Sequence, residues 1–279
     1  MPDSLRSCSL SDFSSLSQTC DVAALAAQRE ARWRPGCAGA GAGAGTLHSE
    51  VFASASDGAG AGLALALARD AMRVADLSGA DDRMIMWVQD RRAARLSGKP
   101  YRHGLPKQWR DRVIYVEAET CEDALFALEE GLRCRELALV LGEVSGNPRA
   151  LNFTASRRLS LASERYGVPL WLVRLDARPD LSSARMRWSA KSGPSSAAPW
   201  DRQAPGAPVW QAELFRARNH APGKWDLYED AGQLALTERK PAAKLSPKQW
   251  VGNAFVRRNL VGAGAIPPQI LPEPLKAAS

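Results

Sequence analysis

The sequence lacks the signatures of several protein classes. Its 279 residues contain five cysteines and three histidines, with no CxxC pair and no histidine at metal-site spacing from another ligand type. We therefore expect a reduced chain with no zinc site and no disulfide framework. Apolar runs such as 63–68 stop far short of the roughly 20 residues that span a membrane. The Ser-rich N-terminus carries Asp3 and Asp12 and has no apolar centre. It does not resemble a secretory signal, so we expect a cytoplasmic protein without a membrane partner.

Positive charge is concentrated at the C-terminus. The chain has 37 basic and 30 acidic side chains, for a formal net charge of +7. Residues 239–279 hold seven of the basic side chains and one acidic one, which leaves residues 1–238 nearly neutral at +1. This distribution excludes a uniformly basic, histone-like protein. It predicts a basic appendage that binds nucleic acid or an acidic partner.

The composition divides the chain into three parts. Residues 1–45 are predicted to be mostly disordered, with a short helix at 21–34 and strict Ala-Gly alternation after it. Residues 46–238 form the predicted core domain. Residues 239–279 form a basic, Pro-rich C-terminal tail, in which we predict only a short helix over 248–260.

Apolar segments and amphipathic segments alternate through the first part of the core. Apolar strands that are buried on both faces and separated by helices predict a parallel sheet covered by helices. The strands are predicted at 47–53, 84–88, 112–116, 137–141 and 168–175, and the helices at 63–77, 121–134 and 153–166. Shorter strand-like segments follow at 183–189, 210–216 and 224–228. They predict antiparallel strands added at one edge of this α/β sheet.

A glycine-rich loop lies between the first strand and the first helix. Its sequence, SASDGAGAG over residues 54–62, has the placement of a loop that cradles phosphate. Gly60 and Ala61 stand where such a loop has Lys and a hydroxyl residue, and Glu143 is the candidate magnesium-side carboxylate in place of the usual Asp. We therefore expect negligible ATP hydrolysis and no cofactor, with nucleotide binding through backbone amides as the alternative. The degenerate nucleotide loop comprises Ser54, Asp57, Gly58, Gly60, Ala61 and Gly62.

Several blocks of the sequence resemble the RecA core, in order. They are 117–132 (EAETCEDALFALEEGL), the strand at 137–141, and 210–230 (WQAELFRARNHAPGKWDLYED). More specifically, the chain resembles the ImuA family in Gly142-Glu143, in 151–164 (LNFTASRRLSLASE) and in 183–188 (SARMRW). The resemblance covers about residues 46–230. It implies a RecA-like P-loop NTPase fold with a mainly parallel central sheet.

The ImuA family consists of accessory factors of SOS-induced, error-prone translesion synthesis, so the resemblance implies the same role here. The implied partners are ImuB, a Y-family-like protein without polymerase activity, and an error-prone C-family DNA polymerase. RecA and a second copy of the chain are further candidate partners, through the helix at 21–34. The two segments that bind single-stranded DNA in RecA are shortened to about 144–152 and 177–183. A non-catalytic adaptor is therefore favoured, and an ATP- or DNA-dependent RecA-like protein that binds single-stranded DNA is the alternative.

Four arginines are candidate DNA or phosphate contacts: Arg157, Arg158, Arg174 and Arg178. The first two lie on the helix predicted at 153–166, where a merely solvated face is the alternative. The other two are predicted near the carboxyl end of a strand, where parallel sheets bind ligands. Arg185 and Arg187 alternate with apolar residues, a pattern that a strand with one polar face explains by itself.

Aromatic residues and the tail offer further candidate contacts. Trp87 and Trp171 are predicted in the core, whereas Trp109 lies in polar surroundings, where an indole can stack on bases. The string 233–236 (QLAL) resembles the start of a sliding-clamp-binding peptide without its terminal aromatic. In the tail, a partner protein is favoured over DNA, with a solubilising tail as the third interpretation. The candidate contacts of the tail are Lys248, Trp250, Phe255, Arg257 and Arg258.

Overall fold

The computed structural model describes the central part of the chain. The described residues are 47–74, 82–195, 206–218, 221–230 and 233–239, together with Pro35, Asp201 and Ala204. They all belong to the first of two units, Met1–Arg239 and Lys240–Ser279. The helices predicted at 21–34 and 248–260 lie outside the described residues. Within the described ranges, no helix is long and apolar enough to cross a membrane.

Strands and helices alternate through the first half of the described chain, and only strands follow. The strands are β1 His48–Ala53, β2 Met84–Asp90, β3 Val113–Ala118, β4 Leu137–Ser145, β5 Leu170–Leu175, β6 Met186–Gly193, β7 Val209–Ala217, β8 Gly223–Asp230 and β9 Gln233–Glu238. The α-helices are α1 Ala59–Val74, α2 Arg91–Ser97, α3 Cys121–Arg133 and α4 Phe153–Tyr166, with short 3-10 turns at Arg102–Gly104 and Lys107–Trp109.

The strands form one sheet in the order β3-β2-β4-β5-β1-β6-β7-β8-β9. All pairs from β3 to β6 are parallel, and the pairs from β6 to β9 are antiparallel. The prediction of a mostly parallel α/β sheet with antiparallel strands at one edge is confirmed. The string QLAL over 233–236 lies inside β9, hydrogen-bonded to β8, rather than in a free peptide.

The prediction was wrong for β6, which is parallel to β1 rather than antiparallel. Glu50 of β1 lies opposite Arg187 of β6. The preceding segment 176–185 runs back along the sheet, held where Ser182 and Ser183 hydrogen-bond to Ser156 of α4. Because the chain returns to the starting end of β1 before β6 begins, the two strands run in the same direction.

Helices cover both faces of the parallel strands. On one face, α1 and α2 pack over a cluster that includes Leu63, Trp87 and Trp171, and the prediction that these two tryptophans are buried is confirmed. On the other face, α3 and α4 pack over a second cluster with Leu128 and Leu159. Strands β1, β4 and β5 are consequently buried along their whole length.

Trp109 differs from its prediction. It was expected in polar surroundings, but it is 4% exposed and belongs to the first core cluster. The 3-10 turn Lys107–Trp109 closes with a hydrogen bond from Trp109 N to Pro106 O at 2.8 Å and turns the indole inward. Trp109 is therefore not a surface aromatic that can stack on a base.

Local capping explains the helix bounds. The helix α4 has the bounds that its pattern predicts, with Asn152 accepting a hydrogen bond from Ala155 N and Gly167 in the left-handed conformation at its end. The helix α3 begins at a capping box between Thr120 and Asp123. The pattern did not predict α2 or β9.

Candidate functional site

Two carboxylates accept hydrogen bonds from the degenerate nucleotide loop. It leaves β1 at Ala53 and enters α1 at Ala59. Asp176, at the end of β5, accepts hydrogen bonds from Ala55 N at 3.0 Å and from Ser54 Oγ at 3.1 Å. Asp57 accepts a hydrogen bond from Ala59 N at 3.0 Å. Backbone amides of the kind that would hold a phosphate at a helix N-terminus are thus already bound to carboxylates of the chain itself.

Asp57 also ties the loop to β6. Its carboxylate accepts hydrogen bonds from Ser192 N at 2.8 Å and from Ser192 Oγ at 2.5 Å. Burial by itself would raise the pKa of Asp57, but the hydrogen bonds from Ser192 and Ala59 outweigh it and lower the pKa. The side chain is therefore an anion at neutral pH, and its charge disfavours a second anion at the same place.

Two glycines of the predicted loop lie in the first turn of α1, which begins four residues before its predicted start at residue 63, and they pack against the protein core. A Cβ on Gly60 would lie 2.9 Å from both Ala53 Cβ and Val173 Cγ1, and one on Gly62 would lie 2.7 Å from Trp210 Nε1. These two glycines therefore let α1 approach the sheet and Trp210 closely. A Cβ on Gly58, in contrast, would meet no described atom within 4 Å. Ala61 is half-buried beside the first core cluster.

Glu143 lies inside β4, which extends four residues beyond its predicted end at Leu141. Its side chain is buried and accepts hydrogen bonds from Trp87 Nε1 at 2.7 Å and Ser97 Oγ at 3.1 Å. Burial raises the pKa of this carboxyl. These partners lie on the β2 side of β4, whereas Asp57 binds β6, on the far side of β5 and β1. The carboxylate of Glu143 is thus bound by Trp87 and Ser97, and no cluster of three metal-binding side chains occurs within the described ranges.

Arg174 and Arg187 are interior side chains. Arg187 Nε donates to Glu50 Oε2 at 2.7 Å, and Arg174 lies 3.9 Å from Glu50 Oε1 and 3.3 Å from Asp180 Oδ2. The two guanidinium groups lie 5.6 Å and 5.0 Å from the centre of the Phe52 ring. Arg174, predicted as a phosphate contact, is 1% exposed, and Arg187 does not lie on a solvated polar face. We call Glu50, Arg174, Asp180 and Arg187 the buried charge cluster.

A single amide links the two shortened segments 144–152 and 177–183. Asn147 Nδ2 donates to Arg178 O at 2.8 Å and to Asp180 Oδ2 at 2.9 Å, and Arg178 N donates to Asn147 Oδ1 at 2.8 Å. Since Asp180 also binds Arg174, this link continues into the buried charge cluster. The side chains of Arg149 and Arg178 remain exposed at this edge of the sheet.

The structure does not place the remaining predicted contact residues beside Arg174 and Arg178. Arg157 is exposed on α4, and Arg158, also largely exposed, forms an ion pair with Glu129 of α3. The tail contacts Lys248, Trp250, Phe255, Arg257 and Arg258 lie outside the described residues. The structure thus links Arg174 to the backbone of Arg178 through Asp180 and Asn147, whereas Arg157 and Arg158 lie on α4.

A polar network missed by sequence reasoning lies beneath α4. Ser156 and Ser160 face inward from this helix, and His48 Nδ1 lies 2.7 Å from Ser160 Oγ. Ser182 hydrogen-bonds to both Ser156 and Glu50, which joins the network to the buried charge cluster. Burial lowers the pKa of His48 to about 4, so its ring is neutral at physiological pH. The signal was the spacing of serines on the inner side of α4, where apolar residues are usual.

Sequence reasoning also missed a strongly basic segment in the core domain. Residues 91–112, which connect β2 to β3, contain eight basic side chains and one acidic one. We call this segment the basic connection. Its signal was present in the sequence, but a count over residues 1–238 averaged it with the acidic remainder. Two of its basic residues, Lys107 and Arg110, also line a groove of about 440 Å³ beside α1, together with Arg69, Trp210 and Glu229.

Comparison with known proteins gave no match, either to a protein-family model or to a curated sequence. The function of this chain is therefore inferred from its motifs and from the geometry of its described residues.

Proposed function

We propose that this chain is a non-catalytic accessory protein of damage-induced, error-prone translesion DNA synthesis, built on a RecA-like core. In this proposal it acts with ImuB and an error-prone C-family DNA polymerase. The resemblance over residues 46–230 supports the proposal, with its most specific blocks at 151–164 and 183–188. A parallel sheet with β1 near its centre and antiparallel strands at one edge is compatible with a RecA-like core.

One observation carries the non-catalytic part of the proposal: carboxylates of the chain itself bind two backbone amides of the degenerate nucleotide loop. Asp57 and Asp176 occupy backbone donors, and Gly60, which stands at the position of the usual Lys, is packed against β1 and β5. Phosphoryl transfer depends on a cation and a magnesium ion placed at the phosphates. An internal carboxylate in the same place gives the opposite electrostatic field, so we expect the loop to serve as a structural element.

The outer face of α4 is the candidate docking surface for ImuB. Phe153 and Leu161 are 46% and 52% exposed on this helix, with Arg157 between them. Leu181, which is 77% exposed, lies next to Ser182, and Ser182 hydrogen-bonds to the same helix. Exposed apolar side chains with an arginine among them are typical of protein interfaces. The tail is the second candidate surface for the same partner, and RecA or a second copy remain further partners in the proposal.

Co-purification with ImuB tests the adaptor role. The full chain is compared with a chain that ends at Glu238 and with the double variant Arg157→Glu/Arg158→Glu. Arg216→Glu/Arg218→Glu, which reverses two exposed charges on the β7 side, is the matched control. We expect one of the first two variants to lose ImuB and damage-induced mutagenesis while the control retains both. Full retention by both variants would remove the adaptor role.

ATP turnover tests the non-catalytic part separately. We expect no magnesium-dependent hydrolysis by the full chain, with or without single-stranded DNA, under conditions in which a RecA recombinase is active. A measurable rate that requires magnesium would show that the loop opens. That result would favour the alternative, an ATP- or DNA-dependent RecA-like protein that binds single-stranded DNA.

One observation favours that alternative. The Asn147 link holds the segments 144–152 and 177–183 together, with Arg149 and Arg178 exposed at the carboxyl edge of the parallel sheet. Under the alternative, Arg149→Gln/Arg178→Gln lowers the affinity for a single-stranded oligonucleotide and flattens its salt dependence. Under the adaptor proposal, this variant leaves both quantities unchanged.

A further inference from the structure

The basic connection concentrates the positive charge of the described domain. Its eight basic and one acidic side chains give a net charge of +7, which equals the formal charge of the whole chain. The remaining residues therefore hold 29 basic and 29 acidic side chains. A charge of this density within 22 consecutive residues produces a strong local field if the side chains face solvent and lack acidic partners.

The backbone of the basic connection is fixed by the core. Leu105 and Trp109 are 7% and 4% exposed and belong to the first core cluster. Arg110 Nε donates to Leu105 O at 3.0 Å, and Arg102 Nε donates to Arg110 O at 3.2 Å. At the other end, Asp90 caps α2 by accepting a hydrogen bond from Ala93 N. Packing and hydrogen bonds therefore hold the basic connection in one defined conformation on the surface of the domain.

Most of its cations have no acidic partner. Three pair with carboxylates: Arg91 with Glu119, Lys99 with Glu117 at 2.7 Å, and Arg112 with Asp82 at 2.6 Å. The other five form no ion pair with any residue that the structure describes; they are Arg92, Arg95, Arg102, Lys107 and Arg110. Of these five, Arg110 is half-buried and the other four are exposed. An anion of the solvent or of a partner is needed to neutralise them.

An exposed aromatic side chain lies on the same segment as these cations. Tyr101 is 73% exposed, more than any other aromatic side chain in the described part of the chain. Its ring centre lies 5.5 Å from that of His103, which is also exposed. Exposed aromatic rings beside cations bind unpaired bases by stacking, because every base has an accessible π-face.

We propose that the basic connection binds single-stranded nucleic acid. Its uncompensated cations follow the phosphate backbone, and Tyr101, with His103 beside it, stacks on an unpaired base. This contact uses residues other than Arg149 and Arg178, and it does not depend on ImuB. An acidic protein is the less favoured ligand, because protein interfaces exclude charge from their centres, whereas here five cations without an ion pair share one short segment with the exposed ring.

The salt dependence of binding identifies the phosphate contacts. Each phosphate neutralised on a single strand contributes a slope of about −0.7 to a plot of log affinity against log salt. The variant Arg92→Gln/Arg95→Gln/Arg102→Gln removes three exposed cations, so we expect the slope to become shallower by about 2. The variant Lys191→Gln/Arg216→Gln/Arg218→Gln removes three exposed cations on and beside β6 and β7, and as the matched control it should keep the wild-type slope.

The aromatic part has its own test. Tyr101→Ala should weaken binding roughly tenfold with an unchanged salt slope, because it removes stacking and no charge. Tyr101→Phe keeps the ring and should bind as the wild type does. The probe is a fluorescently labelled oligothymidine of 20 nucleotides, measured by anisotropy against the full chain, with thermal unfolding of each variant as the folding control.

Four outcomes would overturn the proposal. They are undetectable binding by the wild type, an unchanged slope in the triple variant, an equal loss in the matched control, and stronger binding of duplex than of single-stranded DNA. Competition by polyglutamate as effective as that by unlabelled oligothymidine, with no effect of Tyr101→Ala, would identify an acidic protein surface instead. None of these outcomes bears on ImuB capture, so failure here leaves the proposed function to its own test.

Discussion

The buried charge cluster and the basic connection use arginine in opposite ways. In the cluster, two arginines share Glu50 and Asp180 and are almost fully shielded from water. In the basic connection, five of the eight cations have no acidic partner in the described structure, and most of them are exposed. The basic connection joins two parallel strands, whereas three of the four cluster residues lie within strands of the sheet. Burial and neutralisation, rather than residue type, therefore decide which arginines hold the fold and which remain free to bind an anion.

This contrast predicts the largest stability loss at Glu50. The substitution Glu50→Gln leaves Arg174 and Arg187 buried without their shared carboxylate, and we expect it to cost about 3–5 kcal/mol in the free energy of unfolding. Glu117→Gln removes an exposed partner of Lys99 and should leave the stability unchanged. Urea unfolding measures both variants. An equal loss of unfolding free energy in the two variants would show that buried and exposed ion pairs contribute alike to the stability of this fold.

The contrast extends to histidine, through the buried His48 and the exposed His103. His48 has a pKa lowered to about 4, so the unfolded chain, with a pKa near 6.5, binds more protons between these values. Stability is therefore fully present above pH 6.5 and falls by about 3 kcal/mol as the pH drops through this window. Replacing His48 with Asn should remove that part of the pH dependence, measured by urea unfolding at a series of pH values. His103→Gln is the control and should retain it.

The contrast between packed and open positions also applies to two glycines of the degenerate nucleotide loop. Gly60→Ala places a Cβ within 2.9 Å of Ala53 and Val173, so we expect a loss of about 1–3 kcal/mol by overpacking. A Cβ on Gly58 would meet no described atom within 4 Å, so Gly58→Ala should change the stability by less than about 0.5 kcal/mol. Thermal unfolding separates the two. If Gly60→Ala were as stable as the wild type, the first turn of α1 would be free to move from the sheet.

Replacing Asn147 tests whether its hydrogen bonds hold the exposed segments 144–152 and 177–183 to the buried charge cluster. Asn147→Ala deletes three hydrogen bonds between exposed segments, and we expect about 1 kcal/mol of destabilisation. The larger effect should be local, as faster proteolysis within both 144–152 and 177–183. Thr154→Ala, at an exposed position on α4, is the comparison variant. Faster cleavage of one segment alone would show that the two are ordered independently.

The smallest change in stability is expected in the basic connection itself. Arg92→Gln/Arg95→Gln removes two exposed cations that have no ion pair in the described structure, so the free energy of unfolding should change by less than about 0.5 kcal/mol. Any change should be favourable, because neighbouring like charges repel each other. Urea unfolding at low and high salt measures this. A loss above 1 kcal/mol would indicate a structural role for these arginines.

Periodicity predicted the elements better than their partners. The bounds of α4 follow from its apolar spacing and from Gly167, so that local pattern was sufficient. The direction of β6 was not predictable, because it depends on a return path fixed by hydrogen bonds to Ser156, on another element. The same limit applies to Arg174. Its place near a strand end was correct, but the carboxylates that bury it come from β1 and from the segment after β5.

The candidate site was predictable only in part. The missing Lys and hydroxyl residue of the loop were visible in the sequence, whereas the carboxylates that fill the loop were not. Asp57 was noted as a loop residue, but its partner Ser192 lies 135 positions away. The basic connection, in contrast, was readable from the sequence by a local count of charges.

The central position of β1 has a consequence for how the chain is made on the ribosome. His48 pairs with Leu170, 122 residues later, and Ser49 pairs with Met186, which is later still. At a translation rate of about 5–20 residues per second, the first partner strand of β1 is synthesised of the order of ten seconds after β1 itself. During that time its apolar side chains have no sheet to join, so nascent chains should recruit chaperones early. A chain halted before residue 170 should be cleared by proteases rather than accumulate.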